Sequence, residues 1–410
     1  MTQSAPATPG LSKNRTQFLW LSVNVLLVGG VLGTERAVVP LLGRDVYHVA
    51  AALALSFIAS FGLTKAFVNM GAGRWSDSVG RRPLLIAGWL AAVPLVVLLL
   101  LVHAWWAVIV ANVLLGANQG LAWTMTVTAQ LDLVRPNERG LSMGVNEAMG
   151  YLGVALATVA TGFLAAHGHL TTRPFYLAGA IVLVGGIQSL AIIRETHGHV
   201  PPAPAAEGVR PFGRILAHTT WGHPALSSLT VGGFVNKLAD TVAWGLLPLY
   251  FASAHESVPV IALLSGIYAG VWGLGQFGTG LWSDHTGRKP LIVSGLLLVG
   301  LGLAAMILVT GTIPWAAAAA TMGLGMAMAY PVLNAAVADV APPHERGAVL
   351  GVYRLWRDGG YAVGGVGLGL LLAAVGMRAS LLVVSVLVLA ATGFIAWRLP
   401  ETHRAAVRQP

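Results

Sequence analysis

Nine ionisable side chains stand inside otherwise apolar stretches of this chain: Glu35, Arg36, Lys65, Glu147, Lys237, Asp240, Arg354, Arg357 and Asp358. Four are carboxylates, and burial or a neighbouring charge shifts a carboxyl pKa far enough for it to take up a proton. A carboxylate that alternately holds a proton and another partner is the least machinery that proton coupling needs. Glu147, Asp240, Glu35 and Asp358 are therefore the candidate proton carriers. Glu147 leads, because no basic residue lies within four positions of it. Five cations against four anions permit nearly complete internal pairing, and Arg357 with Asp240 is the pair expected across the interior.

Helical spacing gathers polar and aromatic residues around these charges. Arg354, Arg357, Asp358 and Tyr361 recur at i, i+3, i+4 and i+7, and Lys237, Asp240 and Trp244 follow the same rule with Asn236 beside them. Glu147 and Tyr151 lie four apart next to Asn146, while Asn112, Gln119, Trp123, Thr126 and Gln130 keep a spacing near 3.5. Lys65 and Asn69 correspond to Trp272 and Gln276 after a shift of 207 positions, and Tyr268 shares the face of Trp272. With Arg36, these side chains are expected to line a wet central cavity that binds a solute.

The elements that carry them are membrane spans. Of 410 residues, 56% are hydrophobic and 10% charged, where a soluble domain carries about a quarter charged. A span needs about 20 apolar residues. Apolar runs near 17–40, 50–72, 83–103, 105–131, 140–166, 174–193, 222–252, 258–282, 290–311, 313–337, 347–375 and 379–397 predict twelve helices in an all-α membrane protein. Unpaired in lipid, each interior Arg, Lys or Asp would cost about 2.5–3.5 kcal/mol, so all nine charges must face inward. The first run is too long for a signal peptide's apolar core and carries Glu35 and Arg36, so a span is expected there. The chain has no cysteine, which removes disulfides and thiolate-held metals.

The formal charge of +9 has a topological explanation. With both termini cytoplasmic, 16 of the 24 lysines and arginines fall in cytoplasmic segments and only Arg44, Arg173 and Arg378 on the other side. That bias fixes orientation and accounts for the basic surplus without nucleic acid. The only long polar linker, containing PPAPAAEG at 201–208, divides a bundle at 1–193 from a second at 222–410, with the linker at 194–221. The halves repeat: Gly73-Arg-Trp-Ser-Asp77-Ser-Val-Gly80-Arg81-Arg82-Pro83 returns as Gly280-Leu-Trp-Ser-Asp284-His-Thr-Gly287-Arg288-Lys289-Pro290, and Asp132…Glu138-Arg139-Gly140 as Asp339…Glu345-Arg346-Gly347, both displaced by 207. A six-plus-six duplication of this kind is a transporter plan with its site at the midplane.

The pattern G-x-x-x-D-x-x-G-R-(R/K), placed after helices 2 and 8, resembles the signature loop of the major facilitator superfamily, and the likeness covers nearly the whole chain. It implies two pseudo-symmetric six-helix bundles. It also implies that Asp77 and Asp284 cap or pair with neighbouring helix ends, and that Arg81, Arg82, Arg288 and Lys289 hold the cytoplasmic gate closed. Two departures stand against the proton-coupled drug exporters of that family. Gln119-Gly120 is present, but Gly116 occupies their arginine position, and Gly144 to Gly153 lacks their Gly-Pro pair. Asn146-Glu147-x-x-Gly150-Tyr151 and Arg354-x-x-Arg357-Asp358-Gly-Gly-Tyr361 are similar to bacterial efflux permeases that include proteins linked to nickel resistance, although the C-terminus carries only His403.

Other motifs carry less. Gly140-Leu-Ser142-Met-Gly144 matches a nucleophile elbow but opens a membrane helix rather than following a strand. His167-Gly-His169 and His197-Gly-His199 lack a third ligand nearby, and Asn14-Arg-Thr16 is a glycosylation sequon on the cytoplasmic side. Gly360-xxx-Gly364 and Gly365-xxx-Gly369 serve close helix packing. A membrane channel or sensor is a remote alternative, and the expected protein is not an enzyme. It is a secondary active transporter of a small molecule or ion, expected to work outward (efflux) by proton antiport, with a metal-cation exporter or a proton-coupled organic-anion symporter as alternatives. It is expected in a bacterial inner membrane as a monomer within the lipid bilayer, with no cofactor and the proton gradient as energy source. Asp77→Asn should impair solute flux in proteoliposomes while leaving membrane insertion intact, and wild-type flux would remove Asp77 from the gate.

Overall fold

The structure is a computed structural model that describes residues 10–135, 138–166, 169–197, 210–342 and 345–403. The linker motif at 201–208, His167 and His199 lie outside the described residues. Among the described residues, ten helices are long and apolar enough to cross a membrane. One of these, Arg346–Arg398, is two spans joined at Gly376, whose φ of 79° breaks the helix, and the helix at 224–253 makes the twelfth once its internal π turn is bridged. In chain order they are α1 (Arg15–Asp45), α2 (Ser56–Val79), α3 (Arg81–Leu101), α4 (Trp105–Leu133), α5 (Arg139–Ala165), α6 (Arg173–Ala191), α7 (224–253), α8 (Val258–Thr286), α9 (Arg288–Leu308), α10 (Thr312–Val340), α11 (346–375) and α12 (377–398). No strand occurs among the described residues.

Two expectations from the sequence need correction. The repeated glycine-aspartate-arginine segments are mostly helix, not loop. Gly73 to Val79 complete α2 and Gly280 to Thr286 complete α8, and the chain reverses at the single residues Gly80 and Gly287, with φ of 101° and 92°. One glycine at positive φ is enough to turn the chain, so no loop is needed. The polar stripe of α4 is also not continuous. Residues Gln119–Trp123 form a π turn, and Val242–Leu246 form another in α7. An extra residue in one turn rotates everything beyond it by about 100°. Asn112 therefore faces α1, Gln119 and Trp123 face the cavity, and Gln130 turns to Ser22 and Asn146.

Packing within each half follows the duplication. In lipid, helices associate through close van der Waals fit, which small residues permit. Gly29 and Gly153 bring α1 and α5 into backbone contact, and Gly360 does the same for α11 against α7, where Gly364 receives the Thr241 and Leu238 side chains. The halves meet along α5–α8 and α2–α11. On another face of α11, Gly365 meets Ala59 in the first turn of α2 and Leu55 just before it, and Gly369 meets Ala52 in the short turn that precedes α2. The two adjacent glycine stripes thus serve two different partners.

The contact between halves is tightest at one end of the molecule and loosens toward the other, where a methyl group at Gly144 would still lie 3.5 Å from the Gln276 carbonyl oxygen. A methyl group added at Gly162 would lie 2.0 Å from Ala262 and one at Gly365 only 2.5 Å from the Ala59 nitrogen. At the end carrying Arg81 and Arg288, by contrast, Gly140 and Gly347 have nothing within 4 Å. The halves are shut at the arginine-poor face and open at the arginine-rich face. Gly365→Leu should wedge the shut face, destabilising the protein by about 1–3 kcal/mol and raising thiol labelling of a cysteine placed at Ala52. Gly351→Leu, at a position with nothing within 4 Å, should change neither thermal melting nor labelling.

Candidate substrate and proton site

The open face leads into a cavity of about 390 Å³, a size usual for small-molecule sites. Its wall runs from Lys65, Glu147 and Tyr330 at mid-helix to Gly140, Asp284 and Arg288 at the helix ends. Among the residues singled out from the sequence, Lys65, Asn69, Gln119, Trp123, Glu147, Tyr151, Gln276, Arg354 and Arg357 line it, with Asp284 and Arg288 at its mouth. Glu147 Oε1 accepts a hydrogen bond of 3.1 Å from Trp123 Nε1, and its buried Oε2 has no hydrogen-bond partner. Among the described residues, no cation lies within ion-pair distance of Glu147.

The remaining candidates do not line the cavity in this structure. Arg36, Lys237, Asp240, Tyr268, Trp272 and Tyr361 form a dry layer beneath it. Asp240, with no exposed surface, accepts from Arg36 at 2.7 and 3.2 Å, from Lys237 at 3.4 Å, from the Tyr268 hydroxyl at 3.0 Å and from the Tyr361 hydroxyl. Arg36 belongs to the first half and the other donors to the second. The expected Arg357–Asp240 pair is therefore corrected: Arg357 grips its neighbour Asp358 through two bonds of 2.8 Å, and Asp240 is taken by Arg36. Spacing on one helix could not reveal this, because the partner comes from the other half.

Aromatic rings complete the floor. Tyr151 stacks on Trp272 at 3.7 Å, and Lys237 Nζ sits 4.5 Å from the ring centres of both Trp272 and Tyr330 while donating to the Tyr151 hydroxyl at 3.2 Å. Below Asp240, Trp244 meets Phe57 and Phe61 edge-on and carries Arg36 over its face at 5.0 Å. Trp244 is part of this plug rather than of a binding wall. Glu35 and Asn112 bind each other at 2.8 Å inside the first half, Asn146 is bound to Gln130, and Asn236 rests on Met326. Asp358 forms a further link between halves, because Asn69 of α2 donates to it at 2.6 Å.

At the open end, each half builds the same cluster. Arg81 bonds Asp77 at 2.9 Å, Asp132 at 3.1 Å and Ser76, while Arg288 bonds Asp284 at 2.7 Å, Asp339 at 3.0 Å and Ser283. Asp77 and Asp284 lie in the last turns of α2 and α8, so they pair with the next helix without capping it. The caps come from residues that spacing did not single out. Glu195 accepts from the backbone N–H groups of Arg81 and Arg82, and Glu401 from those of Arg288 and Lys289. A carboxylate at a helix start gains about 0.3–1 kcal/mol from the helix dipole. The signal was present: Glu-Thr-His occurs at 195–197 and again at 401–403. Arg82 reaches instead to the carbonyls of Ser189 and Leu190.

Burial pushes the Glu195 and Glu401 carboxyls up, but four backbone N–H donors on each outweigh it and hold both below the usual glutamate range. A depressed folded value means that these caps stabilise fully above the ordinary glutamate pKa and lose that contribution as pH falls through the depressed value. Glu138 and Glu345 tie down the segments entering α1 and α7, by way of the Leu11 N–H and of Arg210. Backbone bonds from Arg135 and Leu11 hold the Glu138 carboxyl low as well.

Comparison with known proteins fits this architecture. A family model described as Major Facilitator Superfamily matches residues 15–228 and again 229–410. The chain is 26% identical over 392 residues to an uncharacterized MFS-type transporter of Salmonella typhimurium, covering 90% of this chain and 94% of that one. It is 31% identical over 171 residues to the multidrug resistance protein MdtH of Cronobacter sakazakii, covering 40% of this chain and 42%, less than half, of that relative. Among solved structures, a D-xylose-proton symporter superposes with a TM-score of 0.76 at 17% identity, covering 94% of this chain and 98% of that one. A POT family transporter in complex with 5-aminolevulinic acid superposes at 0.78 and 14%, covering 96% and 98%. At these identities the structural likeness concerns the fold alone.

Removing one partner from a buried ion pair costs about 3–5 kcal/mol, because the other charge is left uncompensated. Asp240→Asn should therefore lower thermal stability sharply and raise labelling from the arginine-poor face. In a double-mutant cycle with Arg36→Gln, the combined loss should fall short of the sum by about 1 kcal/mol or more. Strictly additive losses would contradict the contact.

Proposed function

The chain belongs to the Major Facilitator Superfamily and is an integral membrane transporter of that family, and on that footing we propose that it exports a small solute by alternating access in exchange for protons. Glu147 carries this reading. Among the described residues it is the one carboxylate on the mid-depth cavity wall without an ion-pair partner, and its Oε2 is buried with its hydrogen-bonding capacity unmet. Such a group holds a proton readily when its surroundings are dry and releases it when water reaches it. Outward export is supported by the multidrug resistance proteins of Cronobacter sakazakii and Bacillus subtilis that match part of the chain.

The arginine-rich face is the cytoplasmic one on this reading, because basic residues collect there. Both termini and the 194–221 linker then lie on the cytoplasmic side of the 1–193 and 222–410 bundles, in a bacterial inner membrane and with a single chain as the working unit. The structure is the cytoplasm-open state. Solute enters beside Glu147, the open end closes, and the Arg36–Asp240 pair parts to release solute on the far side. Proton uptake by Glu147 from that side accompanies the return. A metal cargo finds little support, since no group of three His, Cys, Asp or Glu among the described residues could hold a metal ion.

A second reading, symport of an organic anion with a proton, is favoured by one observation: among the described residues, Lys65 and Arg354 on the wall lack counterions. A solute found by a growth screen against drugs, metals and organic acids separates the two. Added to energised inverted membrane vesicles, it should raise the lumenal pH if exchanged for protons and lower it if carried with them. Glu147→Gln, a permanent mimic of the protonated acid, should abolish transport driven by a pH gradient while sparing solute binding and solute–solute exchange. Uphill, proton-driven transport by this variant would overturn the role of Glu147.

A further inference from the structure

We infer that the transported solute carries an acidic group, and that Lys65 of the first half and Arg354 of the second hold it between them. The inference rests on the transporter reading of this cavity, but neither on the direction of transport nor on Glu147 as the proton site.

The interior cations fall into two classes. Arg36 and Lys237 are bound to Asp240, and Arg357 to Asp358. Among the described residues, Lys65 and Arg354 have neither an ion pair nor a hydrogen bond, and the Nε of Arg354 is buried without an acceptor. Both stand on the cavity wall. Since Arg357 is neutralised by Asp358, the wall at mid-depth carries two cations without a carboxylate partner, Lys65 resting over the Phe61 and Trp123 rings, against the single carboxylate of Glu147. A solute with no charge would leave that surplus unanswered, and a cationic one would worsen it.

The wall also offers unmet hydrogen-bonding capacity. Gln276 is only 1% exposed, lines the cavity, and has no partner for either its amide oxygen or its nitrogen. Its donor suits the second oxygen of an acid, and its acceptor suits a polar group further along the solute. Trp123 and Tyr151 present aromatic surface beside it.

The placement on the two halves gives the acid a mechanical consequence. Lys65 lies on α2 and Arg354 on α11, the helices that meet between the halves at the shut face. Closing the open face draws these two helices together and drives two like charges toward each other. An acidic group between them turns that repulsion into a bridge. It would do for the open end what Asp240 does for the shut end, so closure would favour the loaded carrier.

The chain has no cysteine, so a single introduced thiol can report the charge preference of the cavity whatever the natural solute is. Thr128 and Ala335 both line the wall, at equivalent positions of the two halves. In Thr128→Cys and Ala335→Cys, reaction with anionic sulfonatoethyl methanethiosulfonate should exceed reaction with its cationic trimethylammonium analogue. After normalisation to a free thiol, the expected ratio is about 10-fold or more. Lys65→Gln with Arg354→Gln should bring the ratio toward one, each single replacement should lower it, and Lys65→Arg with Arg354→Lys should preserve it. A normalised ratio at or below one overturns the inference, as does a ratio indifferent to the neutralised pair and its single replacements. Failure of Glu147 as the proton site would leave the ratio intact, which keeps the two claims separable.

Discussion

The closed end of this transporter hangs on one carboxylate. Asp240 has no contact with solvent, and a charge in that position is tolerated only when paired and hydrogen-bonded on every side. It meets that condition with donors from Arg36, Lys237, Tyr268 and Tyr361. Only Arg36 comes from the first half, so the ion pair that crosses the interface at this depth is one bidentate contact above an aromatic plug, beside the hydrogen bond from Lys237 to the Tyr151 hydroxyl. Lys237 lies three residues from Asp240 on the same helix and stays with it whatever α1 does. Asp240 thus keeps a counterion when the halves part, which limits the penalty of breaking the pair. A carrier must cross between two states of similar energy, and a latch with a resident substitute is compatible with that demand.

The duplication has been kept in the scaffold and abandoned in the cavity. Ser76, Asp77, Arg81, Asp132 and Glu195 find counterparts in Ser283, Asp284, Arg288, Asp339 and Glu401, with the same contacts around each arginine. Inside, the position equivalent to Glu147 is Arg354, that of Lys65 is Trp272, and that of Trp123 is Tyr330. Helix ends in both halves face the same problem of unpaired backbone N–H groups, so one solution serves twice. A solute has no such symmetry, and the wall that faces it has none either.

The fold was largely legible in the sequence because its determinants are local. Length of apolar run, the side on which arginines collect and a repeated motif at a fixed offset are all properties of contiguous residues. What escaped was long-range or cumulative. The Arg36–Asp240 pair joins positions 204 residues apart, and no periodicity on α1 or α7 announces it. The π turns at Gln119 and Val242 rotate the later half of each helix, which is why a regular polar stripe on α4 dissolved into three separate environments. Trp244, Tyr268 and Tyr361 were recognisable as interior, but their depth, floor rather than wall, depends on how far the halves have closed. The capping roles of Glu195 and Glu401 were not legible from helical periodicity, because the repeated Glu-Thr-His lies outside the helices whose ends it satisfies.

The distribution of satisfied and unsatisfied groups follows from where water can reach. At the shut face every charge must find protein partners, because an uncompensated ion there has no solvent to turn to. Asp240 is consequently paired with both Arg36 and Lys237, although the buried Nε of Arg36 has no acceptor. On the open side water can solvate a lysine or a glutamate, so Lys65, Arg354 and Glu147 can stand without ion pairs. That freedom is what a binding site requires, since a group already committed to an internal pair has little left to offer a solute. Closing the open side removes the water and makes those same groups demand partners, which only the solute, a proton or each other can supply. The requirement for neutrality in a dry interior therefore links occupancy of the cavity to the movement of the halves, and it does so through physics that acts on whichever end is shut.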